Sequence, residues 1–184
     1  MFPLRYAASM WMKKRPLPEP ELRVLMVCSG NICRSPTAEG VLRAKLQAAG
    51  LAGQVVVDSA GTHGFHVSEP PDPRARRHAL ARGYDLSKQR ARQVERVDFE
   101  RFDRLLAMDE NHRQWLLDMA PAGLEGRVGT LMAFAVRHAG QTEVPDPYYG
   151  AAAGFERVLD LIEDGCDGLV ADLLRGDEGS RGTS

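Results

Sequence analysis

No apolar run in the chain approaches the ~20 residues needed to cross a bilayer, so no membrane-spanning helix is expected. Neither sign of charge dominates. Lys and Arg number 24 against 25 Asp and Glu, which leaves a formal charge of −1 over 184 residues. That balance removes the electrostatic case for a nucleic-acid binder, a local patch apart. Cysteine is sparse: the chain has three, at 28, 33 and 166. A secreted disulfide framework uses even, dense sets, so this usage points to a reducing compartment and a cytoplasmic location. The five histidines (63, 66, 78, 112, 138) are scattered, and Cys28 with Cys33 has no second pair to complete a zinc set. No metal or cofactor is expected. With 18 glycines and 11 prolines the chain is not of low complexity, and 43% hydrophobic against 27% charged residues is the balance of a globular protein.

Residues 1–20 differ from the rest. They carry Arg5, Lys13, Lys14 and Arg15, and the basic cluster follows the apolar stretch. A secretion signal has the opposite order, so the segment reads as a disordered leader. Residues 21–175 are expected to form one domain, and 176–184, rich in Gly and Ser, a flexible tail.

Between these ends, strand and helix signals alternate. Arg23–Val27 and Gln54–Asp58 are short apolar runs of strand length. Arg101–Met108 ends in a third strand, and Arg127–Phe134 reads as a fourth. Helical spacing appears over Thr37–Ala49, closed by Gly50, and over Pro71–Arg82, closed by Gly83. Asp109 is placed to cap a helix reaching about Asp118. Ala152–Leu174 has the stripe of a long helix, with Gly165 and Gly168 as points of interruption. Repeated β-then-α units predict an α/β fold, a parallel sheet with helices on both faces.

One segment carries chemistry: Val27-Cys28-Ser29-Gly30-Asn31-Ile32-Cys33-Arg34-Ser35-Pro36. It joins a predicted strand to a predicted helix, at the carboxyl end of the sheet where such folds bind ligands. Backbone N–H groups converging there, with the helix start behind them, make an anion cradle. Gly30 and Asn31 tolerate the dihedrals of a tight loop. Cys28 opens the loop and supplies a nucleophile whose thiolate is favoured by those donors. Arg34 closes it with a planar fork that matches two oxygens of a tetrahedral dianion. Asn31 and Ser35 are the polar side chains available to fix the loop, and Ser35 is in reach to donate to the Cys28 sulfur. Pro36 suits a first helical turn.

Attack on a phosphomonoester also requires a proton for the leaving oxygen. Val144-Pro145-Asp146-Pro147-Tyr148-Tyr149-Gly150 offers a carboxyl group on a proline-stiffened loop, with Tyr148 and Tyr149 as walls for an aromatic ring. Negative charge on sulfur and phosphate would keep Asp146 protonated for donation.

Taken together, these pieces resemble the low-molecular-weight protein tyrosine phosphatases. The likeness runs over about 22–175 and includes Asp58-Ser59-Ala60-Gly61-Thr62, Asp72-Pro73-Arg74-Ala75, Ala91-Arg92-Gln93, Phe102-Asp103, Ala107-Met108-Asp109 and Asp146-Pro147-Tyr148-Tyr149. The resemblance implies a four-stranded parallel sheet and a metal-free phosphocysteine mechanism. It implies Cys28 as nucleophile, Arg34 as phosphate ligand and Asp146 as general acid and then base. It places Ser29, Gly30, Asn31, Ile32, Cys33, Ser35, Phe65, Tyr148 and Tyr149 about the substrate, with Asn31 and Ser35 stabilising the loop. The implied partner is a phosphotyrosine-containing protein, a tyrosine kinase among the candidates, with phosphate as the small ligand. A monomer is the default. Cys33 is read either as a disulfide partner for Cys28 or as packing behind the loop. Cys166 reads as core.

Two positions depart from relatives. Phe65 stands where Trp, Tyr or a smaller apolar group is common, and with His66 it is expected at the cleft mouth. Gln89 stands where His is common, which removes a supporting hydrogen bond near the loop. Arsenate reduction, phosphoarginine hydrolysis and phosphate binding without turnover are the competing readings. The first lacks paired downstream cysteines, Ile32 and the tyrosine pair disfavour the second, and the Cys28, Arg34 and Asp146 set disfavours the third.

Overall fold

The structure is a computed structural model that describes residues 22–181, with side chains through 175. The expected leader at 1–20 and the last three tail residues lie outside the described residues. Four strands form one parallel sheet: β1 (Leu22–Cys28), β2 (Val55–Gly61), β3 (Arg104–Ala107) and β4 (Val128–Thr130), in the order β2-β1-β3-β4. The central strand β1 is buried on both faces, and its alternate residues serve two cores. Val24 and Met26 join Val41, Leu42, Leu159 and Ile162 on one side. Leu25 and Val27 join Phe99, Phe102, Leu105 and Leu116 on the other. Each fully buried Leu or Phe contributes about 1.5–3 kcal/mol, so both faces are held independently.

The first core is covered by α1 (Arg34–Ala48) and α5 (Ala152–Arg181), and α2 (Pro73–Ala81) packs on both. The second is covered by the short α3 (Asp98–Arg101) and by α4 (Glu110–Met119). The expected α/β architecture with helices on both faces is thus present. Among the described residues no helix is long and apolar enough to cross a membrane.

Several element limits differ from the pattern in the sequence. Helix α2 starts at Pro73 rather than Pro71 because Asp72 caps it, its side chain accepting from Arg74 N–H at 2.8 Å. The fourth strand stops at Thr130, and Leu131–Phe134 forms a 3-10 turn that lies on α5. That close approach explains Gly165 and Gly168. A Cβ at Gly168 would sit 1.8 Å from the Phe134 carbonyl oxygen, and one at Gly165 would sit 2.8 Å from Leu131. These glycines admit the turn and do not interrupt α5, whose backbone continues to Arg181, past the point where a tail was expected.

The parallel register brings Cys28 beside Gly61, Val27 beside Ala107, and Ala107 beside Thr130. The carboxyl ends of all four strands therefore meet at one edge, below the loop that joins β1 to α1.

Candidate active site

The loop from Cys28 to Ser35 is fixed from beneath by buried polar side chains. Asn31 has φ +56°, the left-handed region. Gly30 does not; its missing side chain instead admits His66, which a Cβ there would meet at 2.9 Å. The left-handed turn aims the Asn31 amide inward. Its Nδ2 donates to Ser35 Oγ and to Ser59 Oγ, both at 2.9 Å, and its Oδ1 accepts Arg92 N–H at 3.0 Å. Ser59 in turn donates to Glu39 Oε2 at 2.6 Å. Burial pushes the Glu39 carboxyl above its ordinary range, against the opposing effects of Ser59 and Arg43. Ser35 Oγ lies 3.0 Å from Cys28 Sγ, the contact expected from the sequence. The side chains of Asn31 and Ser35 thus lie under the loop and do not themselves line the cavity, while the Asn31 N–H belongs to the loop backbone above.

Above this floor, the backbone N–H groups of residues 29–33 donate to no protein acceptor among the described residues. Buried N–H groups are ordinarily paired, so a run of open ones around a cysteine forms an anion-binding concavity. Cys28, Ser29, Gly30, Ile32, Cys33 and Arg34 line a cavity of about 350 Å³ together with Phe65, His66, Asp146, Tyr148 and Tyr149. A larger cavity, about 880 Å³, lies along Arg23, Asp58, Arg92 and Asp98. It holds no nucleophile, and Arg92 there is already paired with Asp58 and Asp98.

Arg34 is almost fully buried, yet its guanidinium reaches three groups. Nη1 donates to Asp109 Oδ2 at 2.8 Å and to the Val144 carbonyl at 3.1 Å. Nη2 donates to Asp146 Oδ2 at 3.0 Å. Asp109 is therefore more than the helix cap expected of it. Its Oδ1 accepts His112 N–H at 2.9 Å and lies 2.8 Å from His112 Nδ1. Partial burial alone would raise the Asp109 carboxyl, but the His112 ring and N–H and the Arg34 guanidinium hold it well below the usual carboxylate range. On its other side, His112 Nε2 lies 2.7 Å from Ser29 Oγ. The two ends of the loop are thus tied to the N-terminus of α4.

The rim is open. Phe65 is 77% exposed and Tyr149 93% exposed. The His63 ring stacks on Phe65, Tyr148 meets Tyr149 edge-on, and Arg74 lies over Tyr148. Asp146 Oδ1 accepts Tyr148 N–H at 3.0 Å, which sets the carboxyl group above Arg34. Cys33 is a free thiol, and burial, with Asp72 adding to it, pushes its pKa up to about 12. Gln89 keeps a buried Oε1 that has no hydrogen-bond partner among the described residues.

All of the expected site residues except Asn31 and Ser35 therefore line one cavity. Ser59, Glu39, His112 and the second role of Asp109 were not singled out from the sequence. The available signals were the Asp58–Thr62 and Ala107–Asp109 segments, which carry two of them, while His112 had only its helical spacing from Asp109.

A sequence model described as "Low molecular weight phosphotyrosine protein phosphatase" matches residues 23–178. The chain is 42% identical, over 85% of its length and 96% of the relative's, to a low molecular weight protein-tyrosine-phosphatase of Streptomyces coelicolor. It is 37% identical to YfkJ of Bacillus subtilis, over 84% of this chain and 97% of the relative. Among solved structures it is similar to a protein tyrosine phosphatase of Entamoeba histolytica with Hepes in the active site, with TM-score 0.81, 39% identity, and 85% and 99% of the two chains covered.

Proposed function

Since the chain belongs to the low molecular weight phosphotyrosine protein phosphatases, a family of phosphoric monoester hydrolases acting on phosphoproteins, we propose that it hydrolyses phosphotyrosine through a phosphocysteine on Cys28. The observation that carries this reading is the meeting of Cys28, Arg34 and Asp146 at one cavity, beside a loop whose N–H groups of 29–33 donate to no acceptor among the described residues.

The Cys28 thiolate attacks phosphorus and the bond to the tyrosyl oxygen breaks. The leaving oxygen takes its proton from Asp146. Water then attacks the phosphocysteine, Asp146 removes its proton, and the thiolate departs. Charge on the equatorial oxygens is met by the loop N–H groups and Arg34, so catalysis is mainly positioning and electrostatic stabilisation. Asp146 and a bound phosphoryl group would compete for Arg34 Nη2; the oxygens of the dianion displace the carboxyl group and leave it over the scissile bond. Tyr148, Tyr149 and Phe65 supply the apolar faces for the phenyl ring. The arsenate-reductase alternative needs a downstream thiol near Cys28. Cys166 is fully buried, with Sγ 3.9 Å from the Ala38 carbonyl oxygen, and does not line the cavity.

Cys28→Ser is expected to lower turnover of phosphotyrosine and aryl phosphates at least about 10³-fold while phosphate still binds. Normal activity in that variant would overturn the nucleophile assignment. A panel of phosphotyrosine, phosphoserine, phosphoarginine and arsenate, run with and without reductant, ranks the competing substrates.

A further inference from the structure

The loop that carries Asp146 is held differently on its two sides. Before Asp146, the Val144 N–H donates to the Met108 carbonyl at 2.8 Å, and the Val144 carbonyl accepts Arg34 Nη1 at 3.1 Å. After Asp146 the backbone bonds are local, from Gly150 to Pro147 and from Gly154 to Ala151. Among the described residues, one hydrogen bond ties 147–151 to another element. Arg74 Nη1, on α2, donates to the Tyr148 carbonyl at 3.1 Å. The same Tyr148 gives its N–H to Asp146 Oδ1 at 3.0 Å. One residue thus receives Arg74 on its carbonyl and orients the Asp146 carboxyl group with its N–H.

Arg74 is itself fixed from the other side. Its Nε and Nη2 donate to Asp72 Oδ1 and Oδ2 at 3.1 and 2.8 Å, and these bonds hold the Asp72 carboxyl below its ordinary range. The guanidinium carbon stands 5.0 Å from the Phe155 ring centroid and 5.4 Å from that of Tyr148. Asp72 N–H donates to the Ile32 carbonyl at 2.8 Å, so Asp72 is pinned to the loop that holds Cys28. Only a planar fork can grip a carboxylate with one edge and reach a carbonyl with the next N–H; an ammonium is a point charge. Arg74 does not line the cavity and meets the chemistry only through Tyr148 and Asp146.

We propose that Arg74 is a positioning residue for proton transfer: by bridging Asp72 and Tyr148 it fixes the Asp146 carboxyl group relative to the anion cradle. This rests on the reading of Asp146 as the proton donor. The bridge matters most when a phosphoryl group has taken Arg34 from Asp146, because the bond from Tyr148 is then the restraint that remains. That bond also marks Oδ1 as an acceptor and leaves Oδ2 to carry the proton to the leaving oxygen.

Arg74→Ala and Arg74→Lys are compared with wild type over aryl phosphates from the dinitrophenyl ester to phenyl phosphate. The readouts are kcat/KM and the Ki of inorganic phosphate as a competitive inhibitor. Arg74→Ala should lower kcat/KM about tenfold on phenyl phosphate and no more than about twofold on the dinitrophenyl ester, whose leaving group needs no proton. The phosphate Ki should stay within about twofold of wild type, since the cradle keeps all its donors. Arg74→Lys keeps a cation beside the Tyr148 ring but cannot hold Asp72 and the carbonyl together, and it should follow Arg74→Ala. In an Asp146→Ala background, Arg74→Ala should add no further dependence on the leaving group. Equal losses across the series would overturn the bridge. So would a phosphate Ki that weakens in parallel with kcat/KM, an Arg74→Lys protein with the wild-type slope, or a steeper slope when Arg74→Ala is added to Asp146→Ala. If Asp146→Ala leaves the slope at its wild-type value, the reading of Asp146 as donor fails. A steep series for Asp146→Ala with a wild-type series for Arg74→Ala overturns only the role of Arg74.

Discussion

Ser29, Asn31, Arg34 and Ser35 each have a protein partner within hydrogen-bond distance, and the last three are almost fully buried. Asp146, Tyr148 and Tyr149, across the same cavity, are all exposed, and they are placed by short local contacts. The floor is a closed polar network in a low-dielectric setting, where each dipole is fixed before a ligand arrives. The rim is a solvated loop that holds its carboxyl group and aromatic faces by contacts within a few residues, with Arg74 reaching in from α2. Charge stabilisation needs the first kind of construction, and acceptance of a protein side chain needs the second.

The sharpest way to break this contrast is at its one shared residue. Arg34 belongs to the floor by burial and to the rim through Asp146. Arg34→Ala should lower kcat/KM by about 10³-fold and uncouple Asp146 as well, measured in steady-state assays on phosphotyrosine. Asp146→Ala should cost about 10²-fold or more on poor leaving groups and much less on activated aryl phosphates. Equal losses across a leaving-group series would count against its acid role.

A change confined to the floor should be read first in stability. Asn31→Ala removes three hydrogen bonds and puts a Cβ-only residue at φ +56°. A loss of about 2–3 kcal/mol in urea unfolding is expected, with turnover falling because Ser35 and the loop loosen together.

Support for the rim comes from farther away. Asp164 on α5 is buried and accepts N–H bonds from Val136, Arg137 and His138, at the start of the segment that leads to Asp146. Burial would raise its carboxyl, but those donors and the His138 ring hold its pKa down to about 2. A depressed carboxylate stabilises the fold above the unfolded value and loses that contribution as pH falls through the folded one. Wild type should therefore lose about 2 kcal/mol from this group between about pH 4 and pH 2, seen as a falling unfolding midpoint. Asp164→Asn should start less stable and lose less over the same interval. The smallest effect belongs to the outermost rim. Tyr149→Ala should shift stability by no more than about 0.5 kcal/mol and raise KM with kcat unchanged. A large fall in kcat would show that the rim shares the rigidity of the floor.

The pieces legible in the sequence were those whose determinants are local. An apolar run dictates β1, the Gly and Asn positions dictate a loop, and Pro36 with the following apolar spacing dictates α1. The partners of that loop were less visible because they come from far along the chain. Ser59, Asp109 and His112 follow Asn31, Arg34 and Ser29 by 28, 75 and 83 residues. Nothing in the local pattern around His112 distinguishes a cleft residue from an ordinary buried face of a helix. Gly165 and Gly168 differ from their expected role as helix interruptions for a related reason. A glycine in a helix weakens it locally, but here the deciding contact is with Leu131 and Phe134.

The sequence by itself determined the candidate reactive set, a cysteine and an arginine at the ends of one strand-to-helix turn and a carboxyl group between two prolines, since each depends on a few adjacent residues. Tertiary structure alone decided which charge sits against which, because the parallel register of four strands delivers Asp109, Ser59 and the Asp146 loop to the same edge of the sheet. Electrostatic coupling falls off with distance through space, and only the folded chain converts separations of dozens of residues into contacts of three ångströms or so.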